Sequence, residues 1–173
     1  LVAGIASATL LTGCMTMYVD GATQEVPSSS FRKPAALSPT QVVFEYQVNG
    51  IANAQSTAAL KPQVLKQLRD SGLFSRVEET PVPGGALLTV KLNNVPITEG
   101  AFGKGLVTGL TFGLVGSQAT DGYACTVNYV RDGIPAAVEK TAQHSTHATF
   151  GAASEAPANA YKAESAAAAS AQM

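Results

Sequence analysis

The residues with types suited to chemistry are few. His144 and His147, the only two histidines, sit three apart in QHSTHATF. An imidazole is the commonest metal ligand and titrates near neutrality, so a metal site or a general base is the first thing to test. Residues three apart on a strand point to opposite faces, and no Cys or carboxylate lies at ligand spacing beside either one. The pair therefore reads as exposed polar strand residues, and no metal ligand is expected. Gly100-Ala101-Phe102-Gly103-Lys104-Gly105 looks like a phosphate loop. It has too few residues before its Gly-Lys for the Walker spacing and no Ser or Thr after it. The dinucleotide spacing fails as well. No Gly-x-Ser-x-Gly elbow occurs, so no catalytic residue and no cofactor are expected.

Chemistry of another kind is suggested at the other end of the chain. Leu11-Thr12-Gly13-Cys14 resembles a bacterial lipobox, where a large apolar residue and two small ones admit a peptidase that cuts before an acylated cysteine. Leu1 to Gly13 is uncharged and apolar, which matches the core of a secretory signal and is too short to span a bilayer. The alternative is a buried N-terminal helix in which Cys14 is an ordinary core residue. The basic region and initiator Met of a signal are absent, so residues 1–13 read as a partial signal peptide. Cleavage would leave Cys14 with acyl chains on its thiol and amino group. Each buried CH₂ adds ~0.8 kcal/mol, so several chains anchor stably where one would not. In the lipoproteins that this stretch resembles, the residue after the cysteine steers sorting, and the resemblance implies that Met15, unlike Asp, leads to release to the outer membrane.

These candidates must be positioned by a domain of ordinary size. The 173 residues, less the signal, suffice for one domain with a sizeable core. A net charge of −1 without a basic cluster removes the electrostatic footprint of nucleic-acid binding. With Cys14 acylated, Cys125 has no disulfide partner. Residues 14–40 carry Pro27, Pro34 and Pro39 and a Ser run, so they read as a lipidated N-terminus and a tether or extended arm.

The domain is expected over 41–151. Val42, Phe44, Tyr46 and Val48 alternate with Val43, Glu45 and Gln47 as in a half-buried strand, ended by Asn49-Gly50. Leu60, Val64 and Leu68 recur at helical spacing, with Ser56 as N-cap and Gly72 at the C-terminal cap position. Pro62 argues for a late start of the regular helix. A short strand is expected through Phe74 and Val77, and the clearest strand is ALLTVKLNNV, with Leu88, Val90 and Leu92 facing one way. Tyr123, Cys125, Val127 and Tyr129 alternate with Ala124, Thr126 and Asn128, placing Cys125 in the core, where a thiol is inert. Asp132-Gly133 marks a hairpin into a more polar strand from about Ala136 to Phe150. The predicted fold is a single α+β domain, a small, largely antiparallel sheet with one main helix packed on one face. Residues 152–173 form an Ala-rich tail of high helix propensity without a large apolar face.

YVDGAT, SGLFSRV and above all NNVPITEGAFGKGLVTGLTFGLVGSQATDGYACTV resemble a family of uncharacterised proteobacterial outer-membrane lipoproteins, and the similarity covers most of the mature chain. The resemblance implies a location and no established biochemical role. More loosely, a strand, a helix ending in SGLFSRV and a returning hairpin are similar to auxiliary lipoproteins of envelope transport systems. In those families the chain continues into a C-terminal amphipathic helix, whereas this one ends at Met173, as a fragment would.

The expected function is a lipid-anchored periplasmic binding or scaffolding module with an envelope protein partner, held to the membrane through Cys14. A second possibility lies in residues 103–116. Gly105, Gly109 and Gly113 fall four apart, among Leu106, Leu110, Phe112 and Leu114. On a helix they would form a smooth stripe for close approach, through which the protein would insert into a membrane or self-assemble; the strand-like flanks and the cost of Gly in a helix favour instead an apolar connection that packs on the domain or a partner. Gly105, Gly109, Gly113 and Phe112 are the candidate interaction residues. A third possibility is an envelope enzyme, which would have to bring His144 or His147 beside a carboxylate.

Overall fold

The computed structural model describes residues 15–21, 26–96, 117–131, 133, 136–151, 159–165 and 168–169. Cys14, residues 1–13 and the segment 103–116 with Gly105, Gly109, Phe112 and Gly113 lie outside the described residues. Eight strands form one open sheet: Met15–Asp20 (β1), Pro39–Val48 (β2), Ile51–Ala52 (β3), Arg76–Glu78 (β4), Ala86–Pro96 (β5), Ser117–Arg131 (β6), Val138–Phe150 (β7) and Ala160–Lys162 (β8). Their order is β3-β2-β5-β6-β7-β1-β8, with β4 also on β2. One long helix, Ala54–Asp70 (α1), packs against β2 and β4. The sheet is larger than expected and mixed: β2 runs parallel to both β4 and β5, and every other pair is antiparallel. Parallel pairing follows from the helix, since a crossover helix returns the chain to the starting edge of the sheet.

The apolar alternation read in the sequence becomes the core. Val42 and Phe44 of β2, Val77 of β4, and Leu88, Val90 and Leu92 of β5 are buried against Leu65 of α1. Tyr46, Leu60, Val64, Leu68, Phe74, Tyr123, Cys125, Val127 and Tyr129 pack around them. Each such aliphatic side chain contributes about 1.5–3 kcal/mol by leaving water. Helical spacing singled out Leu60, Val64 and Leu68, yet the fully buried helix residue is Leu65 at 3% exposure.

Helix α1 starts earlier than Pro62 suggested, and its N-cap is Asn53 instead of Ser56. The Asn53 Oδ1 accepts the Ser56 N–H at 2.9 Å, satisfying an otherwise orphaned donor. Asn53 N–H donates to the Tyr46 carbonyl at 2.8 Å, and Tyr46 N–H donates to Thr57 Oγ1 at 2.9 Å. This clasp onto β2 fixes the first turn. Pro62 lies inside the helix, where its missing N–H and ring bulk cost roughly 3 kcal/mol; burial of the Leu-rich face holds the helix through it. Gly72 follows the C-cap Ser71 at φ 64°, as its cap position predicts.

Three further segments differ from the sequence reading. Residues 15–20, placed in the tether or arm, form β1 between β7 and β8. Met15, Met17 and Val19 do alternate with Thr16, Tyr18 and Asp20, but six residues ahead of a Pro- and Ser-rich stretch give too short a window. Ala160–Lys162 of the Ala-rich tail pairs with β1, with Ala163 N–H donating to the Met17 carbonyl at 2.9 Å. Edge pairing satisfies the backbone whatever the side chains prefer. Phe74 lies ahead of β4 and reaches the core from outside a strand. Asn49 and Gly50, at φ 51° and 79°, make the two-residue turn from β2 to β3 that their sequence announces. Gly133 at φ 81° lies between the paired β6 and β7.

Candidate functional site

On the helix side of the sheet the side chains change character as the strands leave the cover of α1. Along β5 the inward positions run Leu88, Val90, Leu92 and then Asn94; along β6 they run Tyr129, Val127, Cys125, Tyr123 and then Asp121. Register aligns the polar ones. Asn94 stands opposite Tyr123, which stands opposite His144, and Asp121 stands opposite Thr146, which stands opposite Val19. Asn94 and Thr146 are buried, at 7% and 5% exposure. Tyr46 belongs to the same electrostatic neighbourhood, because the Asp121 carboxylate acts on both it and Tyr123.

Burial pushes the Tyr123 phenol up to about 12, helped by the Asp121 charge and by Tyr46, while hydrogen bonds from Thr146 and Asn94 pull the other way. The Tyr46 phenol is raised for the same first two reasons, burial and then Asp121. Both rings therefore stay protonated at neutral pH and act as hydrogen-bond donors and acceptors, with no tendency to become phenolate bases. Both ring nitrogens of His144 are buried without a hydrogen-bond partner. A buried polar group left unpaired costs about 1–3 kcal/mol, so an imidazole in this state stands out beside its paired neighbours.

The sequence put His144 and His147 on opposite faces and expected both to be exposed. They do lie on opposite faces, but both are partly buried. His147 belongs to the outer face, where its Nδ1 lies 3.0 Å from Thr120 Oγ1, its direct cross-strand neighbour. Burial lowers its pKa below the ordinary value, the nearby Asp20 charge opposes this, and His144 adds to it. A hydroxyl, an imidazole and a carboxylate are thus gathered at Thr120, His147 and Asp20. The hydroxyl–imidazole contact is also one rung of a polar ladder tying β6 to β7, with Thr126 Oγ1 2.8 Å from Thr141 Oγ1 and Asn128 Nδ2 3.4 Å from Glu139 Oε2. Each such pair contributes about 0.2–1 kcal/mol.

Cys125 occupies the core face, opposite Leu92 and Ala142. It is only half-buried, and burial raises its thiol pKa, which disfavours the nucleophilic thiolate. Among the described residues, no group of three or more His, Cys, Asp and Glu could hold a metal ion. Also among them, no helix is long and apolar enough to cross a membrane. At the far end of β5 and β6 a cavity of about 220 Å³ opens beside Leu87, Val130 and Arg131. No family model matches the chain, and no curated protein matches it significantly.

The two-rung cluster of Asn94, Asp121, Tyr123, His144 and Thr146 was not recognised from sequence as a group, although His144 was itself a candidate. Its signal was present: a polar residue falling on the buried register of an otherwise apolar alternation, as Asn94 does after Leu92 and Asp121 does after Tyr123. Read alone, such residues look like the end of a strand. Only the pairing of β5, β6 and β7 puts them side by side.

Proposed function

We propose that this protein is a lipid-anchored periplasmic binding or scaffolding module of the outer membrane, acylated at Cys14. Its α+β domain engages an envelope partner through the polar cluster on the helix side of the sheet. The observation carrying this reading is the His144 imidazole, buried without a partner opposite Tyr123, beside the rung in which Asp121 faces Thr146. Such a group is satisfied when a polar ligand or partner group arrives. The protonated phenols of Tyr123 and Tyr46 suit recognition better than proton abstraction. LLTGC supports the anchor.

Two experiments test this reading. Expressed behind a complete signal, Cys14→Ala should take up no labelled palmitate and appear in the soluble periplasmic fraction; unchanged labelling removes the anchor. Crosslinking in live cells, with the co-purified envelope proteins identified, should give a defined partner for the native chain and lose it in His144→Ala. A partner retained at native yield by a folded His144→Ala protein removes the cluster from the interface.

A further inference from the structure

We infer that the end of the sheet formed by Met15, Phe150 and Ser117 rests directly against the bilayer, with the β6–β7 hairpin standing away from it. This rests on the acylation of Cys14 proposed above and adds where the domain sits and how it is turned. Met15 is paired with Phe150, which is paired with Ser117, so the first residues of β1 and β6 and the last of β7 share one end of the sheet. β1 is an interior strand, since Tyr18 pairs with His147 on one side and Lys162 on the other. The anchor residue is covalently next to Met15, one peptide unit and ~3.8 Å away between Cα atoms.

A lipoprotein with a free arm gains up to ~3.3–3.6 Å of reach per extended residue. This chain has no free residue to spend between Cys14 and the start of its sheet. Acyl chains in the membrane therefore hold the Met15 end at the headgroups. Met15 is itself half-exposed there. The chain also leaves β5 at Pro96 and re-enters at Ser117 toward this same end, because Pro96 pairs with Asp121, four residues from the start of β6. In the other direction β7 extends from Phe150 back to Val138, which at ~3.3 Å per residue places its far end roughly 40 Å from the membrane. The Tyr123–His144 rung then stands roughly 20 Å above the headgroups at the same rise per residue.

The test uses the full acylated chain with Cys125→Ala, reconstituted in phosphatidylethanolamine–phosphatidylglycerol vesicles containing a nitroxide-labelled lipid. A bimane fluorophore is placed at Gln118→Cys or at Glu139→Cys, both on exposed strand positions. Intact mass reports acylation in each sample. The expected result is several-fold stronger quenching at 118 than at 139. Lys162→Cys and Thr141→Cys provide an independent pair with the same expected order. Equal quenching at both heights, or stronger quenching at 139, in chains whose mass shows the acyl groups overturns the orientation and leaves the anchor standing. Chains lacking the acyl mass overturn both.

Discussion

The two halves of the sheet are held together by different physics. Under α1, β2 and β5 meet the helix through aliphatic and aromatic side chains, and Val42, Leu65, Leu88, Val90 and Leu92 are each at most 6% exposed. In the half made by β7, β1 and β8 the buried residues include Thr146 and Thr149, and Val19 is the one aliphatic side chain there buried to a similar degree. Its strands are joined by backbone ladders and by the 3.4 Å contact from Thr149 Oγ1 to the Thr16 carbonyl, and side-chain pairs such as Thr120–His147 tie it to β6. Apolar burial adds up residue by residue, whereas hydrogen bonds exchanged with water net only about 0.5–1.5 kcal/mol each. The helix-covered half should therefore carry most of the stability, and the β7–β1–β8 half should open more readily.

The largest expected effect is in the first half. Leu88→Ala removes a side chain at 6% exposure from the centre of the core and should lower unfolding stability by about 2–5 kcal/mol in urea denaturation. A loss below about 1 kcal/mol, the range of a single hydrogen bond, would erase the distinction between the halves.

Gly21→Ala strikes the other half. A Cβ there would lie 2.5 Å from the Tyr161 ring and 2.6 Å from the Asn159 carbonyl oxygen, so β8 must shift away from β1. Overpacking of this kind costs roughly 1–3 kcal/mol. Hydrogen exchange should accelerate at the Ala163 amide, which bonds the Met17 carbonyl, while amides of β5 keep their protection. Equal loss of protection in both places would show that the halves unfold as one unit.

A smaller effect is a pH dependence. The folded-state pKa of His147 lies below its unfolded value, with burial as the main cause. Its contribution to stability is therefore complete above the unfolded pKa of about 6.5 and is lost as pH falls through the folded value. Native protein should lose urea resistance between pH 7.5 and pH 5.5, each value being roughly one unit from that reference, and His147→Asn should lose less over the same interval. Identical losses would mean that the imidazole is not desolvated by the fold. The smallest effect belongs to the exposed Lys66–Asp70 pair on α1, with side chains 75% and 61% accessible. Lys66→Ala should change stability by no more than about 0.5 kcal/mol, and less in high salt.

The same contrast explains what could be read in advance. The alternation in VVFEYQV and ALLTVKL, the helical spacing of Leu60, Val64 and Leu68, and the turn at Asn49-Gly50 all record burial or φ requirements local to a few residues, and the structure keeps them. The polar strands carry weaker marks, because a strand held by its backbone imposes little on its side chains. β1 and β8 were hidden for that reason, and so was the site, whose members become neighbours only through the register of β5, β6 and β7.

By itself the sequence determined a sheet-rich domain with one helix, the inward face of β2, β5 and β6, and the absence of a continuous phosphate or nucleophile motif, since each of these is written in local spacing. Tertiary structure alone decided that residues 15–20 enter the sheet between β7 and the edge strand β8, that β2 and β5 run parallel, and that Asn94, Tyr123 and His144 form one rung. Those outcomes depend on which backbone edges pair and in what register. Backbone hydrogen bonds are chemically identical along the chain, so only the packed whole selects among the pairings.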